Sequence, residues 1–188
     1  MDPFAKHLPR AVPLAHHIVR SRLSSGDVAV DATVGNGHDT LFLANIVGPE
    51  GYVAGFDIQQ SAIESTQQKT ADHPQVALFH AGHEELDKHL TKDPLVAMFN
   101  LGYLPGADKD VITRQDTTIA ALRQIAARLL KNGVITIVLY TGHEGGPEEA
   151  DAIREWCGNL DQTEFSVAEY GFVNQRNSPP SLIAIERK

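Results

Sequence analysis

The chain has 188 residues, 42% of them hydrophobic and 21% charged, which reads as one soluble globular domain spanning 1–188. Its net charge of −8 excludes a general nucleic-acid coat protein, and a lone Cys157 excludes an internal disulfide and fits a reducing compartment. No apolar run is long enough for a secretory leader or a membrane span, so the expected location is cytoplasmic, with no membrane partner.

Residues 1–25 differ from the rest: they carry Lys6, Arg10, Arg20 and Arg22 against Asp2 alone, with His7, His16 and His17 beside them. Such a basic arm on an acidic body either grips a few phosphates or is a solvated first helix.

Strand and helix patterns then alternate. A leading helix is expected over Ala11–Arg22, then a strand at Val28–Ala32, a helix from about His38 to Val47, and a strand at Tyr52–Asp57. A helix follows over Ser61–Ala71, a strand over Gln75–His80, a short helix after Gly82, and a nearly all-apolar central strand at Leu95–Asn100. A long helix lies between Asp110 and Lys131, capped by Asn132-Gly133, and leads into a β-branched strand, Val134–Tyr140. A helix from about Pro147 to Cys157 precedes two closing strands, Phe165–Val173 and Ser181–Ile185. The loop between those two is too short for a crossover, so they should pair antiparallel. The fold class is therefore α/β: a seven-stranded, mostly parallel sheet with helices on both faces and a C-terminal antiparallel hairpin. That is the arrangement of Rossmann-like class I methyltransferases.

The most informative segment is Asp31-Ala32-Thr33-Val34-Gly35-Asn36-Gly37-His38-Asp39-Thr40, a strand, a glycine loop and a helix start. Glycines there let a ligand approach the main-chain N–H groups. Asp57, at the end of the next strand, is placed to accept hydrogen bonds from both ribose hydroxyls of a nucleoside cofactor. A dinucleotide fingerprint would want a third glycine where this chain has Thr40. Asp31 would repel a diphosphate but could anchor a cationic amino-acid group. Both points favour S-adenosylmethionine over NAD.

At the end of the fourth strand stands Asn100-Leu101-Gly102-Tyr103-Leu104-Pro105. It resembles the N-P-P-Y motif of amino-group methyltransferases. The Asn100 oxygen and the Leu101 carbonyl could orient an amine, and Tyr103 could stack on a base. His83 or Glu84, after the third strand, could meet the adenine; His80 and His83 supply too few ligands for a metal, so none is expected. The loops holding His143 and Asn174-Gln175-Arg176-Asn177 are each as much a turn as a substrate contact.

Taken together, the DATxGNGxDTxFLA, NLGYLPGxDK, Asp116-Thr117-Thr118, Gly142-His143 and NQRN segments resemble bacterial proteins once labelled putative rRNA methylases. That family is now understood as tRNA methyltransferases acting on the 5-aminomethyl group of 5-aminomethyl-2-thiouridine at the wobble position, 34. The resemblance implies S-adenosylmethionine as methyl donor, S-adenosylhomocysteine as product and a tRNA anticodon stem-loop as partner. An acidic monomer of this size has little surface to hold an anticodon arm, which points to a homodimer. Methylation of rRNA or another amine, or cofactor binding without this activity, stays open. Expected cofactor contacts are Asp31, Thr33, Gly35, Asn36, Gly37, Asp39, Thr40, Asp57, Ile58, Gln59, His83, Glu84, Asn100, Leu101 and Gly102. Expected catalytic residues are Asn100 and Tyr103, with His83, His143 or Asp108 taking the amine's proton. Expected RNA contacts are Tyr103, Arg10, Arg20, Arg22, Asn174, Arg176 and Asn177.

Overall fold

The computed structural model describes residues 7–102, 114–142, 145–177 and 179–188. Seven strands form one sheet: β1 (Val28–Asp31), β2 (Tyr52–Asp57), β3 (Val76–His80), β4 (Val96–Asn100), β5 (Val134–Leu139), β6 (Phe165–Tyr170) and β7 (Ser181–Arg187). Their order is β3-β2-β1-β4-β5-β7-β6, with β1 to β5 parallel and β7 antiparallel to both neighbours. The helices are α1 (Ala11–Arg20), α2 (His38–Val47), α3 (Gln60–Lys69), α4 (Leu86–His89), α5 (Gln115–Arg128) and α6 (Gly146–Gly158).

Period-two alternation splits β5 between the two layers. Ile135, Ile137 and Leu139 pack with Leu122 and Ile125 of α5 and Ile153 of α6. Val134 and Val138 face the other way and pack with Leu14 and Val19 of α1 and Leu43 and Val47 of α2. The chain winds outward from β1 through β2 to β3, then returns to place β4 on the other side of β1. The carboxyl ends of β1 and β4 therefore flank the switch point, where ligands of open α/β sheets bind.

Several boundaries differ from the expected ones by a few residues, and two of the differences have a visible cause. The long helix stops at Arg128, because Leu129 turns extended (φ −57°, ψ 128°). Asn132 is left-handed (φ 64°), as a cap would be, but its N–H donates to the carbonyl of Arg187 at the end of β7 rather than to the helix end. Strand β6 stops at Tyr170, opposite Leu182 of β7. Pro179 and Pro180 precede β7 and carry no N–H with which to extend the ladder. The glycine loop follows expectation. Gly37 has φ 73°, and a Cβ there would come within 2.5 Å of the Thr66 hydroxyl, so both conformation and packing demand glycine.

Candidate active site

A cavity of about 610 Å³ opens at the carboxyl ends of β1, β2 and β4, a size ordinary for a cofactor site. Of the residues expected around a cofactor, Thr33, Gly35, Asn36, Asp39, Asp57, Ile58, Gln59, His83, Glu84, Asn100, Leu101 and Gly102 line it. Asp31, Gly37 and Thr40 do not; they lie behind the wall. Asp31 is 1% exposed; its carboxylate accepts the Thr40 hydroxyl at 2.6 Å and the Thr33 N–H at 3.2 Å. Burial first, and Asp39 second, push its carboxyl from 3.8 up to about 7. Thr40, standing where a dinucleotide site would have glycine, thus has a structural task. The carboxylate that reaches the cavity from this region is Asp39.

Asp57 holds the loop in shape. One oxygen accepts the Gly35 N–H and the other the Gln59 N–H, both at 2.8 Å. Each oxygen keeps a second lone pair, so a diol can still be accepted. Three carboxylates, Asp39, Asp57 and Glu84, line the cavity against the one guanidinium of Arg114 among the described residues. That balance suits a cationic ligand and opposes a diphosphate.

Asn100 ends β4. Its N–H donates to the Thr33 hydroxyl at 2.7 Å, and its side-chain Nδ2 faces Asp39 Oδ2 at 3.4 Å. A carboxylate can only accept, so Asp39 fixes which end of the amide is nitrogen. The other end, Oδ1, is buried and has no hydrogen-bond partner among the described residues. A buried acceptor without a donor is costly and marks a place for a ligand donor.

His83 is 8% exposed, and both ring nitrogens face protein groups. Nδ1 lies 3.3 Å from the Ala32 carbonyl, and Nε2 lies 3.4 Å from the Thr118 hydroxyl, which itself donates to Glu149 at 2.7 Å. Burial holds this imidazole below its ordinary range, partly offset by Glu84. Tyr103, Asp108 and His143 lie outside the described residues.

The basic arm is partly engaged elsewhere. Arg22 pairs with Glu186 at 2.7 Å, and the Arg20 guanidinium sits 5.2 Å from the Phe42 ring centroid. Arg10 is exposed at the start of α1, and Asn174, Arg176 and Asn177 are exposed in the hairpin loop. None of these lines the cavity.

Sequence reasoning missed Val12, His16, His38, Arg114, Thr117 and Tyr140 on the cavity wall. Val12 and His16 are four apart on α1, so they share one helix flank, a signal that was available. Thr117 sits in the Asp116-Thr117-Thr118 segment, and Tyr140 follows the carboxyl end of β5, where the switch-point rule looks for ligands.

Known proteins are similar to this chain in sequence and fold. The family described as Putative rRNA methylase matches residues 53–186. A "tRNA (mnm(5)s(2)U34)-methyltransferase, chloroplastic" from Arabidopsis thaliana is 35% identical over 95% of this chain and 70% of its own length. A putative rRNA-methylase from Clostridium thermocellum superposes with a TM-score of 0.95 at 40% identity, covering 97% of this chain and all of the other. A putative methyltransferase from Streptococcus mutans, solved in complex with SAH, superposes with a TM-score of 0.89 at 37% identity over 97% of this chain and all of its own. An orphaned acceptor in an acidic switch-point cavity and a matching fold thus converge: the chain belongs to the Putative rRNA methylase family and is a class I, S-adenosylmethionine-dependent methyltransferase.

Proposed function

We propose that the protein N-methylates the 5-aminomethyl group of 5-aminomethyl-2-thiouridine at the wobble position of tRNA. The observation that carries this reading is Asn100 Oδ1, a buried acceptor at the switch point without a partner. An amine donates hydrogen bonds where a base carbon or a ribose oxygen would not supply the same N–H donors. The name of the Arabidopsis relative supports the tRNA assignment over rRNA.

The geometry supports roles for the described residues. Asp57 would accept the ribose hydroxyls while its own oxygens keep the glycine loop closed. His83 and Glu84 would border the adenine end, with His83 locked in orientation by Ala32 and Thr118. Asp39 would hold the Asn100 amide with its oxygen toward the acceptor amine. When bound, S-adenosylmethionine supplies an electrophilic methyl group on a sulfonium. The protein's share is mostly alignment, worth up to several powers of ten in rate. Tyr103 would stack on the uracil ring, and Arg10 and Arg176 would meet anticodon-stem phosphates.

Nucleoside analysis of total tRNA from a deletion strain tests the reading. The strain should accumulate unmethylated 5-aminomethyl-2-thiouridine and lose its methylated product, with rRNA nucleosides unchanged. A deletion that alters rRNA methylation and leaves wobble uridine intact refutes it.

A further inference from the structure

We infer that His16, oriented by Asp39, is the group that removes the proton from the acceptor ammonium; this rests on the amine reading above.

An aliphatic ammonium has no lone pair at neutral pH and must lose a proton before it can attack. The proton acceptor must sit close to the atom that holds the amine, and Asn100 Oδ1 marks that place. The Asp39 carboxylate joins the two. Its Oδ2 faces Asn100 Nδ2 at 3.4 Å, and its Oδ1 lies 2.6 Å from His16 Nε2. One carboxylate thus fixes both the group that positions the nitrogen and an imidazole on the same cavity wall.

The bond to Asp39 also decides the tautomer. A carboxylate accepts, so Nε2 carries the hydrogen and Nδ1 keeps its lone pair in the neutral ring. No protein group bonds Nδ1 among the described residues. The Phe42 ring stacks on one face of the imidazole at 4.0 Å with 8° between planes. With its side chain 30% exposed, His16 can return the proton to water.

Four other described groups on the wall are less suited. His83 spends both nitrogens on protein partners. Asp57 gives each oxygen one loop N–H, and in the reading above its remaining lone pairs take the ribose hydroxyls. The Tyr140 hydroxyl is held above its ordinary range by burial and by Asp39. No hydrogen bond among the described residues orients His38. The charged and titratable groups around His16 are Asp39 of α2, Asp31 of β1 behind it, Tyr140 after β5, and Arg20 one turn along α1, lying over the far ring of the stack.

The step balances simply. The proton moves from the ammonium nitrogen to His16 Nδ1, and the electron pair stays on nitrogen. That pair forms the new nitrogen–carbon bond as the methyl–sulfur bond breaks and its pair returns to sulfur. The imidazolium, stabilised by Asp39, then loses its proton to water.

Single-turnover methyl transfer, measured from pH 6 to 10 on tRNA carrying the free aminomethyl group, tests this with His16→Gln. Glutamine can still donate to Asp39 but cannot take a proton. The expected loss is about 100-fold or more near pH 7. It should shrink toward wild type near pH 10, where an aliphatic amine sheds its proton unaided. Calorimetric affinity for S-adenosylhomocysteine should stay within about twofold. A loss equal at every pH, or a matching loss of cofactor affinity, overturns the assignment. If the glutamine variant does not fold, His16→Ala in added imidazole gives the same readout: a rate rising with free imidazole supports the base, and a flat response overturns it. Failure of the wild-type protein itself to methylate this tRNA would instead overturn the wobble reading, and the base with it.

Discussion

Asp31→Asn should make the protein more stable above neutral pH, and the effect can be sized from the structure. Asp31 is buried at the end of β1 beside a second carboxylate, Asp39. Burial first, and that neighbour second, move its carboxyl from 3.8 to about 7. The folded state therefore holds its proton more tightly than the unfolded chain does. Stability from this group is fully present below pH 3.8 and is lost as pH rises toward about 7. At 1.36 kcal/mol per pH unit, the ceiling on that loss is about 4 kcal/mol. Relaxation and water entry at so buried a site reduce it, so about 1–3 kcal/mol is expected.

Asparagine keeps the shape and removes the charge. Its oxygen can accept the Thr33 N–H, and its nitrogen can donate to the Thr40 hydroxyl, which rotates to accept. Urea denaturation of the cofactor-free protein from pH 5 to 9 is the assay. The wild-type curve should fall with pH and level off above about 7, while the variant's should be flatter, with the gap widest at high pH. Parallel curves, or an asparagine variant weaker than wild type at pH 8, would show that Asp31 is ionised and well paired in the folded state, contrary to this reasoning.

Three further outcomes are expected. Asn100→Ala should slow methyl transfer about 100-fold through lost alignment while cofactor affinity changes little; a wild-type single-turnover rate at saturating tRNA would make the segment a structural turn. Asp57→Ala should weaken S-adenosylmethionine at least tenfold by calorimetry and also cost about 1–3 kcal/mol of stability, because the Gly35 and Gln59 N–H groups lose their acceptor. Arg10→Ala with Arg176→Ala should flatten the salt dependence of tRNA affinity by up to about one unit per lost phosphate contact, whereas Arg22→Ala should not, since Arg22 already pairs with Glu186.

The architecture was legible in the chain because it is written in local patterns. Alternating apolar runs and amphipathic stretches define βα units. The glycine loop needs φ 73° at Gly37, and a short loop before Ser181 forces an antiparallel hairpin. Asp57 and Asn100 were found because both stand at strand ends, where the switch-point rule looks for ligands.

What the sequence left undecided depends on contacts between distant segments. Asp31 and Asp39 are eight residues apart and read alike, yet one is sealed under Thr40 and the other meets the cavity. His16 looked like part of a basic arm; only the docking of α1 sets it against Asp39, 23 residues on, and stacks it on Phe42. His83 looked free to act until Thr118 and Ala32, 35 and 51 residues away, took its two nitrogens. Local periodicity tells which face a side chain takes, whereas the partner of a polar atom depends on three-dimensional packing; here that packing left Asn100 Oδ1 buried without a donor from the described residues.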